Sequence, residues 1–186
     1  MRAHAALLFM VVIWAVNFSV AKVALEELSP LPFNALRFPL AAALLYVIMR
    51  GRGAVPLPTR AELPRVLALG LLGNLLYQMF FIFGLDRTPA GNASLLLATT
   101  PIITALLSAG FGHERIRPRV WAGVVATFGG ILLVVLGGRS QLPSGSHTLT
   151  GDLIMFGASV AWAFYTVGSR PLVQRYGALP ITASTL

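Results

Sequence analysis

The chain has 186 residues, 56% of them hydrophobic and 11% charged, with a formal net charge of +8. Ordinary globular domains carry roughly 25% charged residues, so a soluble fold of this size could not cover itself with polar surface, and the natural solvent is the lipid bilayer. The positive charge does not point to nucleic acid either, because the basic residues sit between apolar runs and do not cluster with interleaved aromatics on one element. Cysteine is absent, which removes disulfides, thiolate metal sites and thiol nucleophiles. His4, His113 and His147 lie near segment ends without metal-ligand spacing, so neither a metal nor another cofactor is expected. No paired carboxylates, Ser-His-Asp set or phosphate loop supports an enzyme.

Apolar runs follow one another at 5–25, 33–49, 66–85, 91–111, 120–136 and 153–169, and a seventh begins near Leu179. The first is longer than a signal-peptide core of roughly 7–15 residues and lacks a convincing small-x-small cleavage site. Crossing the hydrocarbon core takes about 20 residues, somewhat fewer where ends snorkel. Runs this long and evenly apolar are helices, since barrel strands alternate over about ten residues. The expected fold is an all-α polytopic membrane protein, a bundle of transmembrane helices.

The links are short. Residues 50–65 and 113–119 are basic, whereas 137–151 is rich in Gly, Ser and Pro and holds Arg139 alone as a cation. The boundary is placed there: a first five-helix unit at 5–137, a linker at 138–150 and the start of a second unit at 151–186. Trp14-Ala15, Lys22, Leu25 and Leu31-Pro32 return as Trp162-Ala163, Arg170, Val173 and Leu179-Pro180, at a constant offset of 148 residues. Chance likeness between two membrane helices is the alternative. Because five spans separate the copies, a genuine repeat would be inverted, as in many secondary transporters.

Cation asymmetry sets the orientation. With the N-terminus cytoplasmic, the inner side holds Arg2, Arg50, Arg52, Arg60, Arg65, Arg115, Arg117, Arg119, Arg170 and Arg175. The outer side holds Lys22, Arg87 and Arg139, with Arg37 just inside the outer end of the second span.

Polar residues at membrane depth are costly and so informative. Asn17 is one turn from Trp14, and Asn74, Tyr77 and Gln78 share a helical face at the centre of the third span. Thr99, Thr100 and Pro101 are central in the fourth, where Pro101 should kink the helix and could expose carbonyls. Trp162, Tyr165, Thr166 and Ser169 share a face of the sixth. Each alone reads as glue between helices, worth about 0.6–2 kcal/mol; together they favour a shared polar solute path. Arg37 either snorkels outward or attracts anionic groups at an outer vestibule. Gly70, Gly73, Gly123, Gly129 and Gly130 read as close helix packing. Asp86 and Arg87 read as a solvated pair.

In order and spacing, several stretches resemble the EamA-type transporters of the drug/metabolite transporter superfamily. They are Trp14 to Lys22, Asn34-Ala35-Leu36-Arg37-Phe38 with the alanine-rich run after it, and Thr88-Pro89-Ala90-Gly91-Asn92-Ala93-Ser94-Leu95. Pro101 with the helix that ends at Glu114-Arg115, and glycine-rich Gly123 to Gly138, complete the set. The resemblance implies ten helices as two inverted five-helix repeats in the bacterial inner membrane, moving small metabolites or drug-like solutes by alternating access. It implies Trp14, Asn17, Tyr77, Gln78, Thr99, Thr100, Trp162 and Tyr165 as cavity candidates by depth alone. This chain stops in the seventh helix, so the expectation is part of a longer product or an inactive truncated copy. The other reading is a non-transporting membrane scaffold, and a second copy or a complementing chain could cover the unfinished half.

Overall fold

The computed structural model describes residues 2–51, 57–112, 118–138 and 148–186. Arg52, His113, Glu114, Arg115, Arg117, Arg139 and His147, the side chains of Arg2 and Arg119, and most of the 138–150 linker lie outside the described residues. Helix α1 spans Arg2–Glu27 and α2 spans Pro30–Gly51. The third segment opens with a 3-10 turn at Arg60–Glu62, continues as α3 (Leu63–Gly70), widens into a π turn at Leu71–Leu76 and ends as α4 (Tyr77–Arg87). Then come α5 (Ala90–Leu97), α6 (Thr100–Gly110), α7 (Pro118–Gly138), α8 (Thr148–Tyr176) and α9 (Ala178–Thr185). No strand occurs among the described residues.

Prolines mark where these helices start. Pro30 and Pro118 open α2 and α7, Pro89 precedes α5, and Pro64 and Pro101 stand in the first turns of α3 and α6. At a first turn the missing N–H costs nothing, and the fixed φ suits the helix. Helix α8 stops at Gly177, whose φ of 89° needs glycine and whose N–H donates to the Val173 carbonyl at 2.8 Å.

Among the described residues, four helical stretches are long and apolar enough to cross a membrane: Leu8–Glu27, Pro30–Gly51, Arg60–Arg87 and Ala90–Gly110. This is an all-α polytopic membrane protein. Helix α8 is not among the four, for its Asp152, Tyr165, Thr166, Ser169 and Arg170 dilute its apolar character. It is instead the helix the others surround, with α4, α5, α6 and the π turn packed on it.

The α8 contact with the third segment runs antiparallel along its whole length. Glu62 meets Tyr176, Gly73 meets Tyr165, and Tyr77 meets Trp162. Further along, Gly157 meets Phe80, Gly84 meets Met155, and Gly151 meets Arg87. As one chain climbs, the other descends in step. Small residues on both sides permit this approach: a Cβ on Gly151 would stand 2.6 Å from the Arg87 carbonyl carbon, and one on Gly84 would stand 3.0 Å from the Met155 nitrogen. Between the pair lies the core, with Tyr77, Phe81, Leu85, Met155, Ala158 and Ala161 joined by Phe18 and Ala21 of α1 and by Ala93, Leu96 and Leu97 of α5.

The expected packing role of the glycines divides. A Cβ on Gly70 would lie 2.7 Å from the Thr185 carbonyl oxygen, and Gly73 lies under the Tyr165 ring. Gly123, Gly129 and Gly130 have nothing within 4 Å, because α7 lies at the edge of the bundle against α5. For those three the expectation of close packing is not met among the described residues.

Candidate solute cavity

The aromatic wall is built from α8 and α1. Trp162 is held from behind by two tyrosines: the Tyr77 ring is 4.7 Å away and the Tyr165 ring 5.0 Å. Tyr165 is fixed in turn by its packing on Gly73 and by a 3.2 Å hydrogen bond between its hydroxyl and that of Thr185. In front of Trp162 opens a cavity of about 860 Å³, bounded by α1, α5, α6 and α8. Trp14 and Phe18 of α1 line it together with Trp162.

The lining also carries neutral hydroxyls. Ser94, Thr100, Thr104 and Ser108 come from α5 and α6, and Thr166 and Ser169 from α8, with Arg170 at one end. Several of these hydroxyls donate to their own helix: Thr166 to the Trp162 carbonyl at 2.8 Å, Ser169 to Thr166 at 3.2 Å and Ser94 to Gly91 at 2.8 Å. Such side chains keep oxygen lone pairs available to a solute without leaving an unsatisfied donor in the bilayer.

Pro101 separates α5 from α6. The break falls at Ala98 and Thr99, and the Leu96 carbonyl beside it accepts from the Thr99 hydroxyl at 2.6 Å and the Ser159 hydroxyl at 2.8 Å. That carbonyl is satisfied inside the protein. Thr99 is fully buried beside the break, whereas Thr100 and Pro101 line the cavity.

Of the residues singled out by depth, Trp14, Thr100, Pro101, Trp162, Thr166 and Ser169 converge on this space. Tyr77 and Tyr165 stand behind its wall. Asn17 is half-buried on α1 and is not part of the lining. Asn74 stands in the π turn, whose signature is the Tyr77 N–H donating five residues back to Leu72, while Tyr77 and Gln78 open α4. Asn74 donates to the Thr185 carbonyl at 2.6 Å, and the Gln78 Oε1 is enclosed without a partner.

Polar contacts at the two ends of the helix pair were not legible as such. At one end Lys22 donates to the carbonyls of Leu85 (2.6 Å), Asp86 and Thr88 (both 3.1 Å), placing a cation on the negative end of α4. The buried Thr88 hydroxyl donates to the buried Asp152 carboxylate, whose Oδ2 has no partner. Asp86 and Arg87 form a half-exposed pair at 3.5 Å, as the sequence suggests. At the other end Glu62, ahead of the apolar run at 66–85, accepts from Thr59, from Arg175 at 3.0 Å and from the Tyr176 hydroxyl at 2.5 Å. These bonds, the Tyr176 one foremost, hold the Glu62 carboxyl down at about 2, and the same bond pushes the Tyr176 phenol up. Arg65 donates to the Gly168 carbonyl at 2.9 Å. The available signals were Asp152 and Thr88 at span ends, and the glycines at 84, 151 and 157.

A helical bundle with prolines at its helix starts, glycine-mediated helix contacts and an aromatic-and-hydroxyl cavity defines a class of polytopic membrane proteins. Residues 1–136 match the EamA-like transporter family, and the chain belongs to that family. It is 32% identical over 182 residues to an uncharacterized transporter of Archaeoglobus fulgidus, covering 98% of this chain and 62% of that protein. A probable terminal-alkyne amino-acid exporter of Streptantibioticus cattleyicolor is 31% identical, with 97% of this chain and 59% of that protein covered. A probable amino-acid metabolite efflux pump of Salmonella typhimurium is 29% identical, with 90% and 53% covered. The chain thus spans between half and two thirds of the length of these relatives. No solved structure matches it.

Proposed function

We propose that this chain acts in secondary transport of small amphipathic solutes of amino-acid type across the cytoplasmic membrane, not in catalysis. The observation that carries the reading is the cavity of about 860 Å³, lined by Trp14 and Trp162 together with neutral hydroxyls. An apolar side chain stacks on indole, and polar ends exchange water for hydroxyls at little cost. The names of two relatives, an amino-acid exporter and an amino-acid metabolite efflux pump, point to the same solutes.

The reading includes alternating access, which the polar contacts at opposite ends of one helix pair support. The third segment and α8 form the fixed element, and α1 and α5–α6 rock against it. In this reading the N-terminus is cytoplasmic, and units 5–137 and 151–186 belong to inverted repeats joined by 138–150. Trp14 is 45% exposed, and a second copy or a complementing chain would close the cavity on that flank.

The test is transport by purified protein in liposomes, with a panel of labelled amino acids and their neutral analogues offered under an imposed proton or sodium gradient. Saturable, gradient-driven uptake of members with apolar side chains is expected. Absence of uptake for the whole panel at verified protein incorporation rejects transport and leaves the scaffold reading.

A further inference from the structure

Three of the helices that bound the aromatic cavity meet at one residue outside it. Thr88 links α4 to α5 in extended form, with φ −131° and ψ 152°, as a residue ahead of proline prefers. Pro89 then leads into α5. The Thr88 carbonyl accepts from the Lys22 ammonium of α1 at 3.1 Å, and its buried hydroxyl donates to the buried Asp152 carboxylate of α8. Helices α1, α5 and α8 are thus joined through Thr88, which does not itself line the space.

Helical spacing carries this junction into the cavity. Trp14, Phe18 and Lys22 follow one another at i, i+4 and share a face of α1, which puts Lys22 about 12 Å along the axis from Trp14 at 1.5 Å per residue. Phe18, between them, is buried and meets Phe81 of α4 edge-on, with ring centroids 5.6 Å apart. The Lys22 ammonium also donates to the carbonyls of Leu85 at 2.6 Å and Asp86 at 3.1 Å. Apolar side chains set the depth and rotation of a membrane helix only weakly, because lipid is an equal partner for them. Three charge-assisted bonds to carbonyls at the end of a packed helix set both.

We propose that Lys22, Thr88 and Asp152 are positioning residues for the cavity, acting on a solute through the place they give Trp14 and Phe18 in its lining. Asp152 fixes Thr88 to α8, and Lys22 fixes α1 to Thr88. Held at this one end, α1 is still free to tilt about it. The inference rests on the cavity as the solute path, yet its test needs no transport, so failure of one is told from failure of the other.

The chain has three tryptophans, Trp14, Trp121 and Trp162, and these supply the readout. The purified chain is labelled with fluorotryptophan in phosphatidylcholine nanodiscs, and its fluorine resonances are assigned from Trp14→Phe, Trp121→Phe and Trp162→Phe. Lys22→Met should shift the Trp14 resonance by more than its line width and leave that of Trp121, exposed on α7 outside the lining, in place. Lys22→Arg, which keeps the charge and the donors, should restore the Trp14 resonance. Thr88→Val keeps the carbonyl and loses the hydroxyl; it should also move Trp14, and it carries the test if Lys22→Met does not fold. A Trp14 resonance unmoved in the folded variants, an equal shift of all three tryptophans, or a Lys22→Arg spectrum like that of Lys22→Met overturns the proposal.

Discussion

The α1–α2 pair and the pair made by the third segment with α8 are both apolar, yet they are packed differently. The apolar stretches of α1 and α2 bury 11% and 6% of their residues against the protein, whereas that of the third segment buries 33%. Hydrophobicity does not separate them, because lipid is as good a partner for leucine as another helix is. Glycine does. Gly73 and Gly84 face α8, Gly151 and Gly157 face the third segment, and the backbones approach until side chains of one helix lie on the chain of the other. Helix α1 presents Leu8, Phe9, Val11, Val12 and Val16 outward, a surface suited to acyl chains.

Overpacking should break the contrast most strongly. Gly151→Ala forces a Cβ against the Arg87 backbone and is expected to destabilise by about 1–3 kcal/mol. The control Gly129→Ala meets open space and should be neutral or up to about 1 kcal/mol stabilising. Thermal unfolding of the two purified variants in one detergent measures the difference. Next comes Thr88→Val, which removes the donor to the buried Asp152 carboxylate at a cost of about 2 kcal/mol. Lys22→Met strips the cation from the end of α4 and should cost about 1 kcal/mol, seen as faster amide exchange in the last turn of that helix.

The smallest effect is in acid. The Glu62 carboxyl falls from an ordinary 4.5 to about 2 in the folded protein. Its contribution is therefore complete above pH 4.5 and is lost as pH falls towards about 2. Glu62→Gln should flatten the stability profile over that window and leave the profile at neutral pH parallel to wild type.

Much of the bundle could be read from the chain. Apolar run lengths locate the helices, and depth in the spans marks Trp14 and Trp162, both of which line the cavity. What escaped has a physical cause. The π turn at Leu71–Leu76 leaves no mark in the apolar pattern, and it puts Asn74 outside the regular helix that carries Tyr77 and Gln78. Thr88–Asp152 and Glu62–Tyr176 join residues 64 and 114 positions apart, so they exist only once the antiparallel register is set. Glycines on α7 and α8 look alike in sequence; the neighbouring helix distinguishes them.

Transport by Trp162→Ala beside Leu133→Ala, in liposomes with matched protein content, tests the solute path most directly. Trp162 forms the cavity wall, while Leu133 is 74% exposed on α7 and faces away from it. Loss of a stacked aromatic wall should lower uptake at least tenfold, equivalent to about 1.4 kcal/mol or more, with Leu133→Ala indistinguishable from wild type. Equal uptake by the two variants would contradict a path between α1, α5–α6 and α8.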